Sequence, residues 1–272
     1  MATVIDVSEH QGWIDWDETA GVIDGAIIRI GYGGDYANQD DAYATRNLDE
    51  CERLGIPYGV YLYSYAHSAS DVEGEISHAL RMLEGRKPTL GVWFDTEESG
   101  CEGASWEASM RFCTAMDEAG YRTGVYCYQA WYWAHLSGMC DIWPIWFASY
   151  TSYPNMPGNV YAWQYSSDGD VAGVYGRVDM NEWYHDEWFD ESEDEVIKDE
   201  DIARIWAYHY QNDDDEWDCY TKLRECAKHV QYHESRVEGG DGGDTRTRID
   251  YIDERVKQID AKLDELIEKL GE

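Results

Sequence analysis

Nothing in this sequence is long and apolar enough to cross a bilayer, since no run reaches the roughly 18 apolar residues that a transmembrane helix needs. Positive charge is scarce as well. Lys and Arg number 21 against 56 Asp and Glu, a formal net charge of -35. Such a surface repels nucleic acid and anionic membranes, which excludes both as partners and argues against membrane insertion. The seven cysteines, Cys51, Cys101, Cys113, Cys127, Cys140, Cys219 and Cys226, are odd in number and show no CxxC spacing. A zinc site or disulfide framework is therefore not expected, and the thiols read as mostly reduced and buried. YGGDY, from Tyr32 to Tyr36, is glycine-rich but lacks GxGxxG or GK[ST], which argues against nucleotide binding. DDDEW, from Asp213 to Trp217, lacks the alternating ligands and central glycine of a calcium loop and reads as a solvated helix start. Residues 3 to 7, TVIDV, read as a strand where a cleaved export signal would need a basic and apolar stretch. The expectation is a protein made without a signal peptide.

What the chain does have is a rhythm. Of its 272 residues 43% are hydrophobic and 14% aromatic, ample for a large core. Eight short apolar runs recur: TVIDV from 3, GAIIRIGYG from 25, PYGVYLYSY from 57, LGVWFDTE from 90, TGVYCY from 123, PIWFASY from 144, NVYAWQYS from 159 and GRVDMN from 176. From the second to the fifth, the starts lie about 32 residues apart, and the gaps hold amphipathic stretches such as DDAYATRNLDECERLG and SWEASMRFCTAMDEAG. That spacing fits βαβ units, and both helices run into a glycine, Gly55 and Gly120, as a left-handed C-cap prefers. Past the sixth run the spacing shrinks to about 15 to 17 residues, too short for a crossover helix. The expected class is α/β: an irregular, parallel-rich (β/α) barrel whose late strands lack flanking helices, with an open doubly wound sheet as the alternative.

Near Asp186 the rhythm stops, and from there on 28 acidic residues face 12 basic ones. The expected division is a barrel over 1–187, a helix pair of unassigned role over 188–238, a Gly-rich linker over 239–246 and a heptad helix over 247–272. In that last stretch Ile249, Ile252, Val256, Ile259, Leu263, Leu266 and Leu270 step by three and four, a short coiled-coil segment suited to a homo-oligomer, with folding back on the barrel or on the helices of Trp206 and Trp217 as the alternative. No internal repeat of about 20 to 50 residues is visible.

The chemistry concentrates in GVWFDTEES, residues 91 to 99. Side chains alternate along a strand, so Trp93, Asp95 and Glu97 share one face while Thr96 and Glu98 share the other. An alternative is that Glu97, Glu98 or Ser99 simply opens the next helix as an N-cap. In a (β/α) barrel the reacting groups stand at strand carboxyl ends. Asp6 closes the first run, Asp95 and Glu97 the fourth, and Asp179 the last. If the barrel closes, four carboxylates share one mouth, and two carboxyls of unequal proton affinity are what glycoside cleavage requires. Aromatic side chains on strands or their ends, Tyr61, Tyr63, Tyr65, Tyr126, Trp146 and Trp163 with Gln164 beside them, are candidates to line a sugar groove. About half of such aromatics are expected to be core filling. His10 and His67 lie near these runs but read as bystanders.

Three separated stretches, DVSEHQGWIDW, GVWFDTE and AWQYSSDGDVAGVYGRVDMN, resemble in order and spacing the lysozymes of glycoside hydrolase family 25, over roughly Thr3 to Tyr184. The resemblance implies an irregular (β/α) barrel, no metal or organic cofactor, and hydrolysis of the β-1,4 bond after N-acetylmuramic acid in bacterial peptidoglycan. Glu97 then matches the general acid, Asp95 its companion on the same strand, and Asp6 and Asp179 the acids of the first and last strands. The resemblance leaves two routes open, a carboxylate nucleophile or assistance by the substrate's own acetamido group, and the Asp-x-Glu pair suits the second. A phage-encoded endolysin, made in the host cytoplasm and acting on the wall after release, fits these expectations. A non-catalytic barrel that holds wall glycan is the alternative, and a chitinase-like barrel a weaker one.

Overall fold

The computed structural model describes residues 2–68 and 70–189. The expected helix pair, linker and heptad helix fall almost wholly outside the described residues. Eight strands close into one barrel in sequence order: β1 (Ala2–Val7), β2 (Gly25–Tyr32), β3 (Tyr58–Tyr63), β4 (Val92–Asp95), β5 (Thr123–Tyr128), β6 (Ile145–Ala148), β7 (Val160–Gly169) and β8 (Val178–Trp183). This decides against the open sheet. Strands β1 to β7 pair in parallel, whereas β8 runs antiparallel to both of its neighbours, β7 and β1.

Helices appear where the spacing allowed them. They are α1 (Trp16–Thr19), α2 (Ala44–Leu54), α3 (Val72–Met82), α4 (Ser105–Glu118) and the short α5 (Gln129–Trp131), with none between β6 and β8. Helix α2 ends on Gly55 at φ 66°, whose N–H returns to the Cys51 carbonyl, and α4 is followed by Gly120 at φ 86°. Both glycines take the left-handed conformation that other residues adopt only at a cost. Among the described residues no helix is long and apolar enough to cross a membrane. The five described cysteines are free thiols, four of them buried.

Strand alternation sorts the apolar residues into two layers. Ile5, Val7, Ile28, Val60, Leu62, Val92 and Phe94 point outward and pack with Leu48 and Cys51 of α2, Val72 and Ala79 of α3, and Phe112 and Met116 of α4. Phe94 and Phe112 stack at 4.6 Å. The inward layer is aromatic: Trp93 meets Trp146, Trp183 and Trp188 at 6.0, 5.9 and 5.9 Å between ring centroids. Trp188 and Phe189, just past the expected barrel boundary, continue this packing. The indoles are too large to fit without relief. Gly124 on β5 supplies it, because a Cβ there would collide with the Trp93 ring. The barrel is thus filled from the amino ends of its parallel strands, which leaves the polar residues at the other end over a solid floor.

Candidate active site

The first two carboxylates come together through the sheet itself. Asp6, next to last in β1, and Asp179, second in β8, are paired across the antiparallel ladder that closes the barrel. The sequence reading placed Asp179 at the closing end of a run. It stands instead near the start of a reversed strand, and reversal brings it to the same mouth. Asp95 ends β4 on the inner face, paired with Tyr63 of β3 and Tyr126 of β5. Glu97 follows two residues later, half-buried.

A chain of hydrogen bonds fixes Asp6. Its Oδ2 accepts from Gln164 Nε2 at 2.9 Å and from Asn181 Nδ2 at 2.9 Å. Asn181 Oδ1 in turn accepts from Trp146 Nε1 at 2.7 Å, and Gln164 Oε1 accepts from the hydroxyls of Tyr126 at 3.1 Å and Tyr150 at 2.8 Å. Each amide therefore has its orientation set from both ends. Asp95 differs, because its Oδ1 is buried and meets no hydrogen-bond donor among the described residues.

Burial and mutual repulsion hold protons on these acids. Asp6 is pushed up to about 8, by burial first and then by the charges of Asp179 and Glu97, against the lowering effect of the two amide donors. Asp95 is driven well above the usual range by burial, Glu97 and Asp6, with Arg29 opposing. Glu97 rises to about 7 through burial, then Asp179 and Glu98. Asp179, the more open of the pair, rises to about 6, with burial the cause. The cluster cannot carry four negative charges at neutral pH. It can hold a protonated carboxylic acid beside an ionised one.

The expected groove residues divide by position. Tyr61 and Tyr126 face inward and pack on Trp146, with ring centroids at 5.8 and 4.4 Å. Trp146 is 1% exposed and belongs to the barrel's filling, so its contribution is to hold Asn181 and its ring is closed to a ligand. Trp163 pairs with Phe147 and Glu182 on the outer face of the barrel, because Gln164 takes the inward position and neighbours on a strand point opposite ways. Tyr63 and Tyr65 remain at the mouth, their rings 5.3 Å apart.

Three participants escaped the sequence reading. Arg29 projects from inside β2 and pairs with Asp41 at 2.8 Å and Glu9 at 2.9 Å. A lone arginine in GAIIRIGYG was a visible signal. Asn181 lies two positions past Asp179, on the same strand face. Glu98 accepts a 2.7 Å hydrogen bond from the Tyr63 hydroxyl, although alternation put it on the other face. The strand ends at Asp95, so alternation no longer governs residue 98.

Comparison with known proteins places this geometry. Lysozyme M1 of Streptomyces globisporus is 28% identical over 207 residues, covering 66% of this chain and 66% of that protein. The modular autolysin LytC of Streptococcus pneumoniae is 29% identical with a TM-score of 0.60, covering 67% of this chain. This chain spans only 46% of LytC's length. The catalytic domain of endolysin ply40, from bacteriophage P40 of Listeria monocytogenes, shares the fold at a TM-score of 0.60 and 22% identity, over 69% of this chain and 95% of that one. The model of the glycosyl hydrolases family 25 matches residues 5–174, which is more than half of the chain. The chain with Asp6, Asp95 and Glu97 at its barrel mouth belongs to the glycosyl hydrolases family 25.

Proposed function

We propose that this protein is a peptidoglycan hydrolase, an N-acetylmuramidase that cuts the β-1,4 bond between N-acetylmuramic acid and N-acetylglucosamine. The observation that carries the reading is the meeting of four carboxylates of unequal proton affinity, from β1, β8 and the end of β4, in one barrel mouth. Family membership and the likeness to lysozyme M1 support it.

In this reading Glu97 is the general acid. With a proton affinity near neutrality it gives its proton to the bridging oxygen as the bond from the anomeric carbon to that oxygen breaks. Asp95 Oδ1, buried without a donor, accepts the N–H of the substrate's acetamido group and turns the acetamido oxygen toward the anomeric carbon, where it forms the new bond. Water then opens that intermediate, losing its proton to the Glu97 carboxylate. Asp179, which ionises first of the pair, keeps negative potential at the mouth, which favours the cationic sugar, and Asp6, clamped by Gln164 and Asn181, stands beside it holding its proton. Tyr63 and Tyr65 supply apolar surface for the sugar faces. The setting we assign is lysis of a bacterial wall by a bacteriophage, supported by the fold shared with ply40.

The test is incubation of the full chain with purified peptidoglycan and identification of the new reducing ends. Muramic reducing ends support the reading. Glucosamine reducing ends, or none, reject it.

A further inference from the structure

Trp13 and Tyr175 are large apolar side chains left in the open, 61% and 74% exposed. They sit on the two connections that lead to and from the paired acids: Trp13 follows Asp6 out of β1, and Tyr175 precedes Asp179 into β8. Ile14 and Val174 form an antiparallel bridge between these connections and are buried, at 0% and 6% exposure. Trp13 and Tyr175 flank this buried bridge on its two sides, and both turn to solvent.

The two connections are fastened together. Asp15 N–H donates to the Gly173 carbonyl at 2.8 Å, Thr19 Oγ1 to the Ala172 carbonyl at 2.9 Å, and Gln11 Nε2 to the Arg177 carbonyl at 3.3 Å. Gly173, at φ 83°, leaves no room for a side chain against Asp15 and Thr19. The Trp13 ring is itself held. Arg46 lies over it with its guanidinium carbon 3.6 Å from the ring centroid, and Arg46 is anchored by hydrogen bonds to the Ile14 carbonyl at 2.8 Å and Asn47 Oδ1 at 3.3 Å. An arginine stack covers one indole face and leaves the other to solvent.

We propose that Trp13, backed by Arg46 and flanked by Tyr175, is a sugar-binding platform that holds the glycan strand at a distance from the bond being cut. The proposal rests on the hydrolase reading for its ligand class, a polymer of pyranose rings whose C–H faces pack on an aromatic ring. Four Cα-to-Cα steps join Tyr175 to Asp179, a reach of at most about 14 Å. A strand seated among the carboxylates therefore extends over the platform within a few sugar rings. Because ring, backing guanidinium and both connections are already fixed, little ordering cost opposes the contact.

The experiment measures binding of peptide-free glycan strands, one long and one short, to the full chain carrying Glu97→Gln so that nothing is cut. The same measurement is made with Trp13→Ala and with Trp13→Tyr added. Trp13→Ala should lower the ratio of long-strand to short-strand affinity about tenfold, the order of one aromatic contact or about 1.4 kcal/mol. Trp13→Tyr should restore most of it. An unchanged ratio in Trp13→Ala overturns the platform, including the case in which another part of this chain occupies the ring. If neither strand binds any variant, the platform and the glycan reading both fall. If wild type releases no muramic ends yet the ratio depends on Trp13, the hydrolase reading fails and the platform stands.

Discussion

Asp6 and Asp179 stand opposite each other in the antiparallel ladder between β1 and β8, although 173 positions separate them in the chain. Both rise above the usual carboxylate range, and the amides of Gln164 and Asn181 hold Asp6 from one side. A pair of like charges at a barrel seam is costly for folding, which points to a use in chemistry.

Replacing the acid should stop the reaction without emptying the cleft. Glu97→Gln preserves shape and removes the proton, so turnover on peptidoglycan should fall on the order of a hundredfold or more. Glycan binding, followed by sedimentation with purified wall, should persist. Near-normal turnover in a folded Glu97→Gln protein would remove Glu97 from the donor role.

The pH profile of hydrolysis should be a bell whose basic limb reports loss of the Glu97 proton, near pH 7. Asp179 raises that limb through its charge, so Asp179→Asn should move it to lower pH. Burial is the larger cause, hence the limb should stay above the ordinary glutamate value of about 4.3. A limb that does not move in Asp179→Asn would disconnect the two acids.

Stability should fall across the pH range in which these acids ionise. Asp6, Glu97 and Asp179 bind protons more tightly folded, at about 8, 7 and 6, than unfolded, at about 4. Between those limits the folded state holds more protons, so the contribution of the cluster is full below about pH 4 and is lost as pH rises toward 8. In thermal melts, Asp179→Asn should lose less melting temperature than wild type between pH 4 and pH 8. Parallel curves for the two proteins would contradict the sign of this coupling.

Asn181 connects the floor to the acids, since it accepts from Trp146 and donates to Asp6 and to the Val4 carbonyl. Asn181→Leu leaves the buried Trp146 N–H without its acceptor and Asp6 with one donor fewer. The expected cost is about 2–4 kcal/mol, read from urea denaturation. Losing this amide donor should also raise the proton affinity of Asp6 further. A loss of stability below half a kilocalorie would show that the network carries little energy.

Much of this was local and therefore legible in the amino-acid order. Two-residue alternation put Asp95 on the face of Trp93, and the spacing of the runs showed which strands have helices between them. Gly55 and Gly120 marked helix ends because a left-handed turn has few other candidates. Tertiary structure decided the rest. The sequence brought Asp179 beside Asp6 only on condition that the barrel closes; the closure itself, and the reversal of β8 that pairs the two, are set by the pairing of distant segments. The space inside eight strands decided that Trp146 is filling, while the phase of β7 turned Trp163 outward and Gln164 in. Residue types and periods set which side chains can act. Only the closed barrel, by excluding water and crowding like charges, sets their proton affinities, because desolvation and repulsion depend on groups the chain brings together from far apart.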